Sequence, residues 1–199
     1  MRVGEGRLGA TRSVRRALPG ARVKADLALL VVAFVWGSSF VGDRIAVANL
    51  GPFLYNTLRL LLGALTLLPL AGRRLRTLTR RELLGGALAG LVLFSASSLQ
   101  QAGLQFTTAG KAGFITGLYV VLVPLFLALV WRQWPGRAAW TASLLAATGL
   151  FLLSVTEELT LAPGDGLELA GAVLWAWHVI LIGRLAPGVN VLRLVVVQY

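Results

Sequence analysis

Long apolar segments follow one another along almost the whole of this chain. Six of them, followed by the start of a seventh, lie near residues 27–47, 51–71, 82–104, 109–131, 137–155 and 165–184. About 20 apolar residues form a helix that can cross the ~30 Å hydrocarbon core of a bilayer. Only 14% of the residues are charged, against roughly 25% in soluble domains. We therefore predict an all-α integral membrane protein, a multispanning helical bundle whose main partner is the lipid bilayer.

The charged residues of the connections indicate how the chain crosses the membrane. Seven basic residues precede the first segment, and five more lie in residues 73–81. The connections predicted on the opposite side carry acidic residues, namely Glu157, Glu158, Asp165 and Glu168. Because cytoplasmic loops collect Lys and Arg, we predict a multi-pass protein of the inner or plasma membrane. Its N-terminus is expected to be cytoplasmic, with a basic tail over residues 1–24.

A weak internal repeat relates the two ends of the chain. An offset of 139 residues places Ala33 on Ala172, Trp36 on Trp175 and Arg59 on Gln198. Five segments separate the two copies, and an odd number reverses their direction across the membrane. Inverted repeats of this kind are typical of secondary transporters with a binding site near the midplane.

Several stretches carry a resemblance to a known family. They are Trp36–Phe40, Arg59, Thr107–Tyr119 and Trp175. Over about residues 25–199 the chain resembles the EamA family of the drug/metabolite transporter superfamily. The resemblance implies two inverted five-helix repeats that export amino acids, metabolites or drugs. Residues 25–156 would then be the first repeat, and residues 165–199 the start of the second, with one complete helix.

The resemblance also bears on the length of the chain, because the sequence stops early in the second repeat. We expect a fragment of a longer transporter. The alternative is a half-transporter that pairs as a homodimer. In either case we expect that the chain cannot transport a substrate unless it dimerises.

Polar side chains inside apolar segments are the candidate substrate-binding residues. Arg59 lies about eight residues into the second segment, too deep to reach the headgroups comfortably. Trp36 and Ser39 share one helical face of the first segment. Lys111 and Tyr119 lie eight residues apart on the fourth. We predict that Trp36, Ser39, Arg59, Lys111 and Tyr119 line one central cavity that binds a small organic molecule.

Each of these residues also has a structural interpretation. Arg59 pairs with a backbone carbonyl or with Asp43 in the alternative reading, and Lys111 reaches the membrane interface. Trp36 and Tyr119 then serve packing alone, and Ser39 bonds to its own helix.

Two titratable residues are candidates for ion coupling. His178 lies in the sixth segment and Asp43 in the first. Other carboxylates are predicted to be absent from the middle of the segments. If transport is driven by protons, these two residues are therefore the expected carriers.

Other functional classes lack support in the sequence. The chain has no cysteine and one histidine, so we predict no metal site, no cofactor and no enzymatic activity. A channel remains an alternative to a transporter, although it would favour rings of like residues. The charge of +11 is explained by cytoplasmic loops, and we predict no nucleic-acid partner.

Overall fold

The computed structural model describes residues 19–154 and 162–199, and every regular element in these two ranges is helical. The helices are α1 (Pro19–Leu50), α2 (Pro52–Ala71), α3 (Arg80–Gly103), α4 (Ala109–Gly117), α5 (Tyr119–Trp131), α6 (Arg137–Ser154), α7 (Pro163–Leu185) and α8 (Val191–Gln198), with a 3₁₀ helix at Gly72–Thr77. Helix α1 begins inside the predicted basic tail, because Pro19 is compatible with a first helical turn. The rest of that tail, and Glu157 and Glu158, lie outside the described residues.

Five stretches of the described chain are long and apolar enough to cross a membrane. They are Val23–Leu50, Pro52–Thr77, Arg80–Gly103, Ala109–Trp131 and Pro163–Leu185. The prediction of an all-α multispanning protein is confirmed. Helix α6 is not among these stretches, so its assignment as a further span stays a prediction.

The chain divides into two compact units, residues 1–37 and residues 38–199. In the first unit the described residues form the first part of α1. In the second unit α3 is the central helix, and it packs most extensively against α7 and α8.

Glycines allow α3 to approach its neighbours closely. A methyl group added at Gly103 would lie 2.9 Å from the carbonyl oxygen of Gly164 on α7. One added at Gly86 would lie 2.6 Å from Val197 Cβ, and one at Gly90 would lie 2.5 Å from the carbonyl oxygen of Gln198. Small residues allow this kind of close helix packing in membranes. Both the α3–α7 and the α3–α8 contacts therefore depend on the absence of a side chain.

The fourth predicted segment is two helices rather than one. Helix α4 ends at Gly117 and α5 begins at Tyr119. Pro124 lacks the N–H that would bond to the carbonyl of Val120, and Ser143 of α6 donates a hydrogen bond to that carbonyl at 3.1 Å. Leu118, between the two helices, keeps a right-handed helical backbone (φ −60°, ψ −15°), and α4 and α5 together form one stretch long enough to cross a membrane.

A buried carboxylate joins the start of α3 to the start of α8. Glu82 and Thr79 form a capping box, in which Thr79 N donates to Glu82 Oε2 at 2.8 Å. The other oxygen, Oε1, accepts a hydrogen bond from Asn190 N at 2.8 Å and forms an ion pair with Arg193 Nε at 3.3 Å. Arg193 also donates to the carbonyl of Thr77. Glu82 thus caps its own helix and holds α8 beside it.

Candidate functional site

Asp43 is the centre of a polar cluster between the first two helices. Gly51, with φ of +76°, ends α1 and turns the chain into α2, so the last turns of α1 face the first turns of α2. Tyr55 Oη donates to Asp43 Oδ1 at 2.5 Å, and Arg59 Nη1 donates to Asp43 Oδ2 at 3.0 Å. Asp43 is 3% exposed. Its buried charge is therefore compensated by an ion pair and a hydrogen bond.

Helices α3 and α7 extend this cluster with neutral polar groups. Gln101 Nε2 donates to Asp43 Oδ2 at 3.4 Å, and Trp175 Nε1 of α7 donates to Gln100 Oε1 at 2.8 Å. On α2, Asn56 Nδ2 donates to the hydroxyl of Ser98 at 2.9 Å. We call these residues the polar cluster: Asp43, Tyr55, Asn56, Arg59, Ser98, Gln100, Gln101 and Trp175. It links four helices whose other surfaces are mostly apolar.

The polar cluster retains hydrogen-bonding capacity that the described part of the chain leaves unused. The buried oxygens Asn56 Oδ1 and Gln101 Oε1 accept no hydrogen bond from the described residues. The side chain of Arg59 is 36% exposed although it pairs with Asp43. A buried polar atom without a partner is costly. A ligand that donates hydrogen bonds to the amides and faces the guanidinium would satisfy these groups.

Two of the predicted site residues precede the polar cluster on α1. Ser39 is half-buried, one helical turn before Asp43. Trp36 belongs to the unit formed by residues 1–37. Arg59 is the predicted site residue that lies in the polar cluster itself, and its pairing with Asp43 agrees with the structural alternative.

Lys111 lies in a second cluster, which joins the start of α4 to the start of α7. Its Nζ pairs with Asp165 Oδ2 at 2.8 Å. Thr107 Oγ1 donates to Asp165 Oδ1 at 2.6 Å, and the backbone N–H of Ala162 donates to Oδ2 at 2.9 Å. We call Thr107, Lys111 and Asp165 the Asp165 cluster. Tyr119 is half-buried at the start of α5. Arg59 thus lies in the polar cluster and Lys111 in the Asp165 cluster, and a single cavity lined by all five predicted residues stays a prediction.

Two further carboxylates are buried near the starts of helices. Glu168 was assigned to an acidic connection, but it lies inside α7 and is 0% exposed. Glu82 is 1% exposed in α3. Glu82 lies in the first turn of α3 and Glu168 in the second turn of α7, so the prediction that carboxylates are otherwise absent from the middle of the segments stays a prediction. The spacing of Glu168, Gly171 and Trp175 by three and four residues would have placed Glu168 on the packed face of the helix.

An apolar groove also lies between α3 and α7. Its volume is about 460 Å³, and it is lined by Leu88, Val92, Leu174, Trp177 and Leu181. No lining side chain ionises, so the groove offers little selectivity for a polar solute. Within the described residues, no group of three or more His, Cys, Asp and Glu side chains is arranged to hold a metal ion.

Comparison with known proteins places this architecture in a family. Residues 23–155 match the EamA-like transporter family. The chain is 34% identical over 163 residues to an uncharacterized transporter of Archaeoglobus fulgidus, covering 82% of this chain and 50% of that protein. It is 30% identical over 178 residues to the inner membrane protein YtfF of Escherichia coli, covering 78% of this chain and 54% of that protein.

The chain thus spans about half the length of these curated relatives. No solved structure matches it. The family match covers well over half of the chain and includes α1 to α6 with the Asp43–Arg59 pair. This chain is therefore a multi-pass membrane protein of the EamA-like transporter family.

Proposed function

We propose that this protein is part of a secondary transporter that exports small metabolites, amino acids or drugs by alternating access, and that the substrate binds at the polar cluster. The observation that carries the proposal is the Asp43–Arg59 pair beside the unpaired oxygens of Asn56 and Gln101. Ionisable residues inside membrane helices are costly and commonly mark substrate or ion pathways. The match to the EamA-like transporter family supports transport as the general class of function.

The chemistry of the polar cluster favours a substrate with both charged and hydrogen-bonding groups. Arg59 offers a cation, Asp43 an anion, and the amides of Asn56 and Gln101 offer acceptors. The carboxylate of an amino-acid-like substrate would pair with Arg59. Its ammonium group would pair with Asp43 and donate hydrogen bonds to the two amide oxygens. The indole of Trp175, which hydrogen-bonds to Gln100, adds an aromatic surface at the edge of the cluster.

The proposed orientation has the N-terminus in the cytoplasm, as the basic loops indicate. The connection between α1 and α2 then faces the outside, and the polar cluster lies in the outer half of the membrane. A substrate would reach it from the cytoplasm only after the helices rearrange. Alternating access supplies that rearrangement.

Efflux from proteoliposomes tests the proposal. Vesicles containing the purified protein are loaded with a panel of radiolabelled amino acids and cationic drugs, and release is followed with and without an opposing gradient. When the reconstituted chain is dimeric, we expect at least one compound to move faster than from empty vesicles. Accumulation against its gradient separates a transporter from a channel. Absence of protein-dependent flux for every compound contradicts the proposal.

Substitutions then locate the site. Arg59→Ala is expected to lower flux by about tenfold or more, equivalent to about 1.4 kcal/mol of lost binding. Arg44→Ala removes the same charge from an exposed position of α1 and serves as the matched control. Because Arg59→Ala leaves Asp43 unpaired, the double variant Asp43→Asn with Arg59→Gln provides a neutral pair of similar shape. Wild-type flux in both Arg59 variants would exclude the polar cluster as the binding site.

We propose a paired half-transporter, in which two copies of the chain assemble, as the alternative candidate. In that case two copies would each contribute one repeat. Native mass spectrometry distinguishes the two, because the chain has a mass of 21.2 kDa and a pair has twice that mass. Flux that depends on the dimer fraction supports pairing, and flux from a monomer contradicts it.

A further inference from the structure

Glu168 is a buried acidic group that the polar cluster does not use. It lies on the inner face of α7 and is 0% exposed. Its Oε2 accepts a hydrogen bond from Thr116 Oγ1 of α4 at 2.9 Å. Its Oε1 is buried and accepts no hydrogen bond from the described residues. A methyl group at Gly103 of α3 would lie 3.1 Å from Oε1, so three helices enclose the carboxyl group.

The charged surroundings of Glu168 provide little compensation for a negative charge. Near it on α4 lies Lys111, which is already ion-paired with Asp165 at 2.8 Å. The other ionisable side chains on α3, α4, α5 and α7 are Arg80, Arg81, Glu82, Tyr119, Asp165, His178 and Arg184. Those of α3 lie at the far end of that helix, about 30 Å along its axis from Gly103. His178 lies ten residues further along α7, about 15 Å away. Within the described chain, no ion pair involves Glu168.

The other buried carboxylates differ in this respect. Asp43 has Arg59, Tyr55 and Gln101 as donors, and Glu82 has Arg193 with three further hydrogen-bond donors. Glu168 has one neutral hydroxyl. A buried carboxylate without a charged partner is far more costly than a buried carboxylic acid, which also gains an O–H donor.

We propose that Glu168 is a proton-binding site of the transport cycle. The inference rests on the proposed transport function. In the enclosed state described here, Glu168 carries a proton on Oε1. When α4 and α7 separate, water reaches the carboxyl group; the O–H bond breaks, and the proton passes to water. Rebinding takes a proton from hydronium on the side to which the site is then open.

In this proposal, the Asp165 cluster separates Glu168 from water at one end of the helix bundle, and it is the cover that opens and closes during the cycle. Asp165 lies one helical turn before Glu168, in the first turn of α7. Its carboxylate forms an ion pair with Lys111 and accepts a hydrogen bond from Thr107. These contacts join the start of α4 to the start of α7. They lie closer to that end of the two helices than the Thr116–Glu168 hydrogen bond does. Opening this cover would expose Glu168 from that end of the bundle, and closing it would exclude water again.

Infrared difference spectroscopy on the purified full chain tests proton binding without a substrate. A pH titration is expected to show the carbonyl stretch of a protonated carboxylic acid that disappears in Glu168→Gln. Thr116→Val removes the hydroxyl and keeps the side-chain shape, so the band is expected to move to higher frequency. Asp26→Asn, which removes an exposed carboxyl group of α1, is the control and is expected to keep the band.

A transport measurement links this proton to function. With the compound found above, a pH gradient across the vesicle is expected to change wild-type flux by about tenfold or more, and Glu168→Gln to lose that response. A Glu168 band without flux for any compound supports the proton site and contradicts the proposed function. Flux that ignores the pH gradient, or a spectrum without a Glu168 band, overturns the proton-binding proposal and leaves transport standing.

Discussion

The crossing of α3 and α7 gives a sharp test of how the bundle is packed. A Cβ atom on Gly164 would overlap the carbonyl oxygen of Gly103, which is backbone and cannot rotate away. Two residues further along α7, a Cβ on Gly166 would meet no atom within 4 Å. The substitutions Gly164→Ala and Gly166→Ala therefore differ chiefly in one contact.

Two opposing effects set the expected difference in the free energy of unfolding between Gly164→Ala and Gly166→Ala. Replacing a helical glycine by alanine favours the helix by up to about 0.8–1.0 kcal/mol, and both variants share most of this gain. Forcing an extra methyl group into a packed contact costs about 1–3 kcal/mol. We expect the free energy of unfolding to be about 1–3 kcal/mol lower for Gly164→Ala than for Gly166→Ala.

Unfolding in detergent micelles measures this difference. The purified chain in a mild detergent is titrated with sodium dodecyl sulfate, and helix loss is followed by circular dichroism. Reversibility is checked by dilution back into the mild detergent. Equal midpoints and slopes for the two variants would refute the close approach of Gly103 and Gly164, and with it the tight α3–α7 crossing.

Three further substitutions probe individual contacts by similar means. Trp175→Phe keeps an aromatic ring but leaves the buried Gln100 oxygen without its donor, so the free energy of unfolding should fall by about 1–3 kcal/mol; an unchanged value would contradict this hydrogen bond. Thr79→Ala removes the N-cap of α3 and should cost about 0.5–2 kcal/mol. The exposed Thr57, which bonds only to its own helix, is the control, and an equal loss in Thr57→Ala would argue against the cap. Lys111→Met leaves its carboxylate partner on α7 unpaired, so amide hydrogen exchange at the start of α7 should become faster; unchanged protection there would show that the ion pair does not hold the two helices together.

Much of the fold could be predicted from the sequence because the signal is local. Each apolar segment is helical in the structure, since a helix is the way for such a segment to satisfy its backbone in a membrane. Arg59 was identified because an arginine at that depth requires a partner, and its pairing with Asp43 was one of the alternatives considered. The chain turns directly from α1 into α2 at Gly51, so these two residues meet across a short hairpin.

The hydrogen bonding around Pro124, inside α5, could not be read from the sequence alone. Pro124 is visible in the sequence, but a proline inside a membrane helix is often tolerated when a neighbour satisfies the freed carbonyl. Here the hydroxyl of Ser143 does so. Whether such a donor is present depends on how α6 packs against α5.

Hydropathy and segment length are properties of neighbouring residues, so the amino-acid sequence is enough to identify this chain as a set of membrane helices with a few costly polar groups inside them. Which of those polar groups meet depends on how the helices pack. Glu168 faces Thr116 across 52 residues of sequence, and Lys111 pairs with Asp165 instead of joining Arg59. Both pairings join α4 to α7, and they depend on how these helices pack, since a side chain can bond only to what the neighbouring helix brings within reach.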